Sequence, residues 1–160
     1  EGTIVAPTAG GATNWWSPSF SPRTELLYVN AFDGEGEFFI RDENYEEGER
    51  YTGGGVRSPQ PMENYQSAIR AIDPKTGDVQ WDFPMKPRAR AGVLSTAGNL
   101  VFSATVDGYF FALDAVSGKE VWHIPLGAPV NASPMTFAVD GRQYVSMTIG
   151  NTVYTFGLKE

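Results

Sequence analysis

The sequence predicts an all-β chain: antiparallel four-stranded sheets forming about three consecutive blades of a partial β-propeller. Three observations lead there. The frame A-x-D-x-x-[ST]-G-x-x-x-W is written twice, as AIDPKTGDVQW at 71–81 and ALDAVSGKEVW at 112–122, each position recurring 41 residues later. A fixed period of about 40–50 residues points to propellers and solenoids. Two-residue hairpin signals, Asp107-Gly108, Asp140-Gly141 and Gly150-Asn151, each separate alternating apolar runs. No window sustains a helical apolar period.

The elements follow in chain order. Thr3–Pro7 reads as a lone strand with no sheet of its own. The first sheet takes Trp15–Phe20, Leu26–Asn30, Ser67–Asp73 and Val79–Phe83. The second takes Gly92–Thr96, Leu100–Thr105, Tyr109–Leu113 and Glu120–Pro125. The third takes Pro134–Val139, Gln143–Ile149 and Thr152–Gly157, and no further tryptophan frame supplies an outer strand. The whole chain, 1–160, is thus one propeller segment with blades at about 15–84, 91–126 and 132–158. Unpaired sheet edges invite association, so another segment or another chain is expected to cover them. Residues 31–66, acidic and glycine-rich, interrupt the first sheet. They read either as a solvated excursion or as a lid or partner surface beside a cleft.

The frame itself has a mechanical reading. Asp73 and Asp114 end a strand, and their carboxylates can accept backbone N–H groups two or three residues on. Gly77 and Gly118 supply the positive φ of the turn. Trp81 and Trp122 then stand at one place in successive repeats, each able to bury its ring on the neighbouring sheet and offer its N–H to a carbonyl.

Composition removes whole classes of function. The formal net charge of −7 argues against non-specific nucleic-acid binding and against docking on anionic lipid. There is no cysteine, hence no disulfide framework, thiolate metal site or covalent haem attachment in this sequence. The one histidine, His123, cannot build a multi-histidine metal site, and as a residue of a predicted outer strand it reads as a surface or satisfied side chain. No apolar run approaches the roughly 20 residues of a membrane span. The chain begins with Glu1, without a signal peptide, as a processed protein or a piece of a longer one would.

GGATNWWSPSFSP at 10–22, the AIDPKTGDVQW frame, AGVLSTAGNLVFSATVDGYFFALDAVSGKEVW at 91–122 and ASPMTFAVDGRQYVSM at 132–147 together resemble the C-terminal part of the pyrroloquinoline quinone (PQQ)-dependent alcohol and methanol dehydrogenases. The resemblance implies an eight-bladed propeller of which this chain holds the last three blades or so. It implies PQQ in the central funnel, a Ca²⁺ beside it, an aspartate base, transfer of electrons to a cytochrome or quinone, and a periplasmic location. It also implies that the catalytic aspartate, most calcium ligands and the stacking tryptophan lie upstream, so no residue here is catalytic or metal-binding and the segment alone should be inactive. Asp107 and Asp140 are accounted for by hairpin turns.

By the same resemblance Asn14 and Trp15 stand where the family's Asn-Trp pair contacts the cofactor. Both are neutral donors able to meet an anion without bulk; otherwise Trp15 is a core residue and Asn14 a turn residue. Trp16 is the weaker candidate. Val130 and Asn131 fall where the family packs a small apolar residue on the cofactor, and Asn131 departs from that pattern. Arg88 and Arg90 replace an aromatic-glycine pair; they read as solvated arginines or as groups steering an anionic cofactor or redox partner. Two other readings are a binding or assembly propeller without cofactor, and a pair of chains joined edge to edge.

Overall fold

The computed structural model describes residues 2–86 and 89–158. It is built of strands apart from a short 3₁₀ turn, Met62–Asn64. Strands β1 to β14 are Thr3–Val5, Ser19–Ser21, Leu26–Asp33, Gly36–Ile40, Gly54–Arg57, Gln66–Ile72, Val79–Met85, Leu94–Ser95, Leu100–Ala104, Tyr109–Asp114, Glu120–Pro125, Met135–Val139, Arg142–Ile149 and Thr152–Gly157. They form four antiparallel sheets, with orders β2-β3-β6-β7, β8-β9-β10-β11, β12-β13-β14 and β1-β4-β5.

The first three sheets follow the repeat. The middle one is covered on both faces, and β10 shows why: successive residues point to opposite sides. Phe111 and Leu113 join Tyr28, Ile69 and Ala71 of the first sheet in one core. Phe110 faces the other way, into a second core with Met147 and Ile149 of the third sheet. All of these side chains are buried.

The turn chemistry matches the expectation. The Asp73 carboxylate accepts Lys75 N–H at 2.8 Å, and Asp114 accepts Val116 and Ser117 N–H at 3.2 and 2.8 Å. Gly77 and Gly118 have φ of 82° and 69°. A feature absent from the reading of the frame is a register shift at Ala71/Ile72, repeated at Ala112/Leu113. It sets each tryptophan opposite the alanine of its frame, Trp81 against Ala71 and Trp122 against Ala112. Such a bulge bends the strand and re-aims the side chains beyond it.

Three expectations are corrected. Thr3–Pro7 is not a lone strand: β1 pairs with β4, Thr3 opposite Phe38 and Val5 opposite Gly36. Residues 31–66 are not a bare loop. β3 continues to Asp33, opposite Gln66 on β6, and the intervening chain folds into the β4–β5 hairpin. Residues 15–18 are not part of the first sheet's inner strand, which begins at Ser19. Pro18 has no N–H to give a ladder, and the Trp15 N–H is taken by the Asn14 side chain at 2.8 Å.

Candidate functional site

The inner ends of the three repeat sheets converge on Gly92. Its N–H donates to Ala132 O at 3.2 Å, and the next residue's N–H donates to Ser17 O at 2.8 Å. The Ser17 hydroxyl donates to Ser133 Oγ at 2.8 Å. A Cβ on Gly92 would lie 2.0 Å from Ser133 Oγ and 2.7 Å from Ser17 Oγ, so only glycine fits.

Beside this junction the chain 8–16 forms a tight loop. Thr8 O accepts Gly11 N–H at 2.9 Å, and the Asn14 amide donates to Gly10 O at 2.7 Å. Gly11 has φ of 78°, and a Cβ there would sit 2.6 Å from Thr13 O. Ala12 O accepts the Phe32 N–H at 2.7 Å, fastening the loop to β3. The loop presents Trp15, a residue two-thirds exposed (67%), next to Trp16 at 6.1 Å between ring centroids.

Across from this loop stands the β4–β5 hairpin, and between them lies a recess of about 490 Å³. Asn14, Trp15, Trp16, Arg57, Tyr65 and Arg90 are among its walls. Phe32 meets Tyr65 edge to face at 5.6 Å, and the Tyr65 hydroxyl donates to Glu35 O at 3.4 Å. Arg57 forms a bidentate pair with Glu37 at 2.7 and 2.8 Å. The same guanidinium lies over Phe39, 5.4 Å from the ring centre. Hydrogen bonding to Arg57 holds the Glu37 carboxyl below the usual carboxylate range.

Two further features bear on what the recess can hold. The Trp16 Nε1–H is buried with no acceptor among the described residues, and a buried donor left unpaired costs about 1–3 kcal/mol. Asn30, buried on β3, donates its amide to Ala89 O at 3.2 Å and Ala91 O at 2.9 Å. That clamp fixes the backbone on both sides of Arg90. Aromatic faces, neutral donors and a guanidinium suit a flat anionic ligand, and a planar quinone with several carboxylates fits this donor set.

Of the residues singled out in the sequence, Asn14, Trp15, Trp16 and Arg90 line the recess. Arg88 lies outside the described residues. Val130 is buried in the second core and Asn131 is exposed; neither lines the recess. His123 stacks on Tyr109 at 4.6 Å and bonds Glu120 at 2.6 Å. Asp107 is held by Lys86 at 2.6 Å, and Asp140 sits in its hairpin with φ of 50°. Among the described residues no group of three or more His, Asp or Glu could hold a metal ion. No helix among them is long and apolar enough to cross a membrane. Arg57, Tyr65 and Asn30 had no motif to announce them; a buried asparagine amid an apolar strand, LLYVNAF, is the one sequence signal that was available.

The profile of the PQQ_2 family, described as outer membrane protein assembly factor BamB, matches residues 66–159, more than half of the chain. Quinoprotein ethanol dehydrogenase of Pseudomonas putida is 39% identical over 146 residues, 91% of this chain and 23% of that protein. 1-Butanol dehydrogenase (quinone) of Thauera butanivorans is 37% identical over 150 residues, 94% of this chain and 24% of that protein. The crystal structure of quinohemoprotein alcohol dehydrogenase from Comamonas testosteroni superposes with a TM-score of 0.85 at 29% identity, over 98% of this chain and 28% of that one. A europium-containing methanol dehydrogenase gives 0.75 at 29% identity, over 91% and 26%. The chain therefore spans about a quarter of the length of these relatives.

Proposed function

The chain belongs to the PQQ_2 family and is akin, over nearly its whole length, to the C-terminal part of quinoprotein alcohol dehydrogenases; on that basis we propose that it is one sector of a propeller that oxidises alcohols with PQQ. The observation that carries the reading is the joint placement of Asn14 and Trp15 on the wall of one recess, beside the point where the three repeat sheets converge.

PQQ, when bound, supplies the two-electron acceptor. The residues of this chain would hold and orient it. Asn14 and Trp15 would contact it from the recess wall, and the aromatic residues of that wall would shield its apolar face from water. The catalytic carboxylate and the Ca²⁺ ligands are assigned to parts of the longer protein outside this sector. So is the passage of electrons to a cytochrome or quinone, and the location is read as periplasmic. Trp81 and Trp122 act as docking residues between successive blades.

Binding tests the reading directly. PQQ titrated into the chain should shift the Trp16 indole N–H signal saturably, and Asn14→Ala and Trp15→Ala, which both keep that reporter, should each weaken binding about tenfold. Unaltered affinity in both variants refutes the site. With PQQ, Ca²⁺, ethanol and a dye acceptor present, the chain by itself should reduce no dye; turnover would overturn the placement of the catalytic base elsewhere. A second reading, a non-catalytic assembly propeller, is favoured by the description that the matching family carries. It predicts no saturable PQQ binding at all.

A further inference from the structure

We propose that Arg90 is the carboxylate-recognition residue of the recess and that Asn30 is its positioning residue. The proposal rests on the recess being a ligand site and goes on to say what chemistry it selects. Its basis is the local backbone. Ala89 and Ala91 are both buried, and the single Asn30 amide ties down their two carbonyls. Between these two buried residues Arg90 is exposed, and it forms part of the recess wall.

Charge then decides what Arg90 is free to do. The other cation on the wall is committed: Arg57 pairs with Glu37. Arg90 makes no ion pair with any described residue, so it is the uncommitted cation of the recess. The one carboxylate on the recess wall without a cation partner is Glu35, on the β3–β4 turn. An incoming anion gains a planar, two-pronged donor at Arg90 and meets repulsion from Glu35. Guanidinium and carboxylate match as fork to fork, and the flanking Trp15, Trp16 and Tyr65 rings favour a flat body behind that group. The class is therefore a planar or aromatic carboxylate. The carboxylate can belong to the cofactor or to an acidic alcohol substrate, and the test separates the two.

Four probes are titrated into the chain and followed by the Trp15 indole N–H signal: PQQ, trimesate (a flat tricarboxylate with no quinone), mandelate and benzyl alcohol. The inference expects trimesate to bind, with Arg90→Ala weakening it about tenfold or more and Arg90→Lys recovering part of the loss. Benzyl alcohol should be indifferent to both changes. Glu35→Gln should tighten carboxylate binding about two- to threefold; a fold-damaging substitution would not do that. If Arg90 governs PQQ but not mandelate, the carboxylate is the cofactor's; if it governs mandelate, it is the substrate's. Should PQQ fail to bind while trimesate still depends on Arg90, the cofactor reading falls and the carboxylate site stands. Carboxylate affinities unchanged in Arg90→Ala, or no saturable binding of trimesate, overturn the proposal.

Discussion

Trp81 and Trp122 occupy the same place in two copies of one frame, yet their surroundings differ. Trp81 donates its indole N–H to Ala115 O at 3.2 Å, in the turn of the following sheet. The buried Tyr28 hydroxyl donates to the same oxygen at 2.9 Å, so one carbonyl takes two donors from the sheet before it. Trp81 also lies on Tyr28, 5.6 Å between ring centres, and against the backbone of Gly118. Trp122 has aromatic neighbours instead: Phe110 of its own sheet at 5.7 Å and Phe156 of the next at 5.4 Å, both edge to face. It stays 38% exposed and, among the described residues, its N–H finds no acceptor. The frame, then, carries only half of a joint. At Trp81 the tryptophan comes with one repeat, whereas the oxygen and the glycine beside it come with the next.

The greatest loss of stability is expected from that asymmetry. Trp81→Ala should cost about 3–5 kcal/mol, through an emptied ring site and an orphaned pair of contacts. Trp122→Ala, losing a partly exposed ring, should cost about 1–2 kcal/mol. Urea unfolding followed by far-ultraviolet circular dichroism measures both, and equal losses would erase the contrast. The glycines refine it. Gly77 and Gly118 share a left-handed φ, but a Cβ on Gly77 meets open space whereas one on Gly118 would lie 2.6 Å from the Trp81 ring. Gly77→Ala should therefore cost about 1 kcal/mol of backbone strain. Gly118→Ala should cost about 1–3 kcal/mol more. Matching melting curves for the two variants would mean that the ring does not rest on that turn.

A finer difference concerns the turn carboxylate. The Ser117 hydroxyl, then its N–H, holds the Asp114 carboxyl below its ordinary value. A carboxyl lowered in the folded state adds stability that is complete above the unfolded pKa of about 4 and fades as pH falls through the folded value. Ser117→Ala should raise the Asp114 pKa and move the onset of acid unfolding to higher pH. The hydroxyl of Thr76, in the same place of the other frame, accepts the Asp78 N–H at 3.1 Å, so Thr76→Ala removes no carboxylate contact. Carbon-detected titration of Asp114 reads the change; an unmoved curve contradicts the assigned cause.

What could be foreseen from the sequence was mostly local. The hairpins at Asp107-Gly108 and Asp140-Gly141 and the Asp-to-Gly turns are written in consecutive residues, and the chain obeys them. The insertion was opaque for the opposite reason. Its sheet joins Thr3–Val5 to Gly36–Ile40, a pairing across some thirty residues that no short window displays, and its glycines and acids mimic a loop. The repeated bulge was hidden because a one-residue shift in register changes no residue type. Asn14 and Trp15 were marked by their motif, whereas folding alone brings Arg57 and Tyr65 to the recess and sets Asn30 against the backbone around Arg90.

The three-residue β1 is a small strand with a long reach. It closes one edge of the sheet that carries Arg57, and without it β4 and β5 would be a two-stranded hairpin, an arrangement of marginal stability in water. The recess is thus assembled from discontinuous chain. Anyone transplanting it onto a different scaffold as the contiguous stretch 36–57 would carry the arginine but leave behind the strand that steadies it.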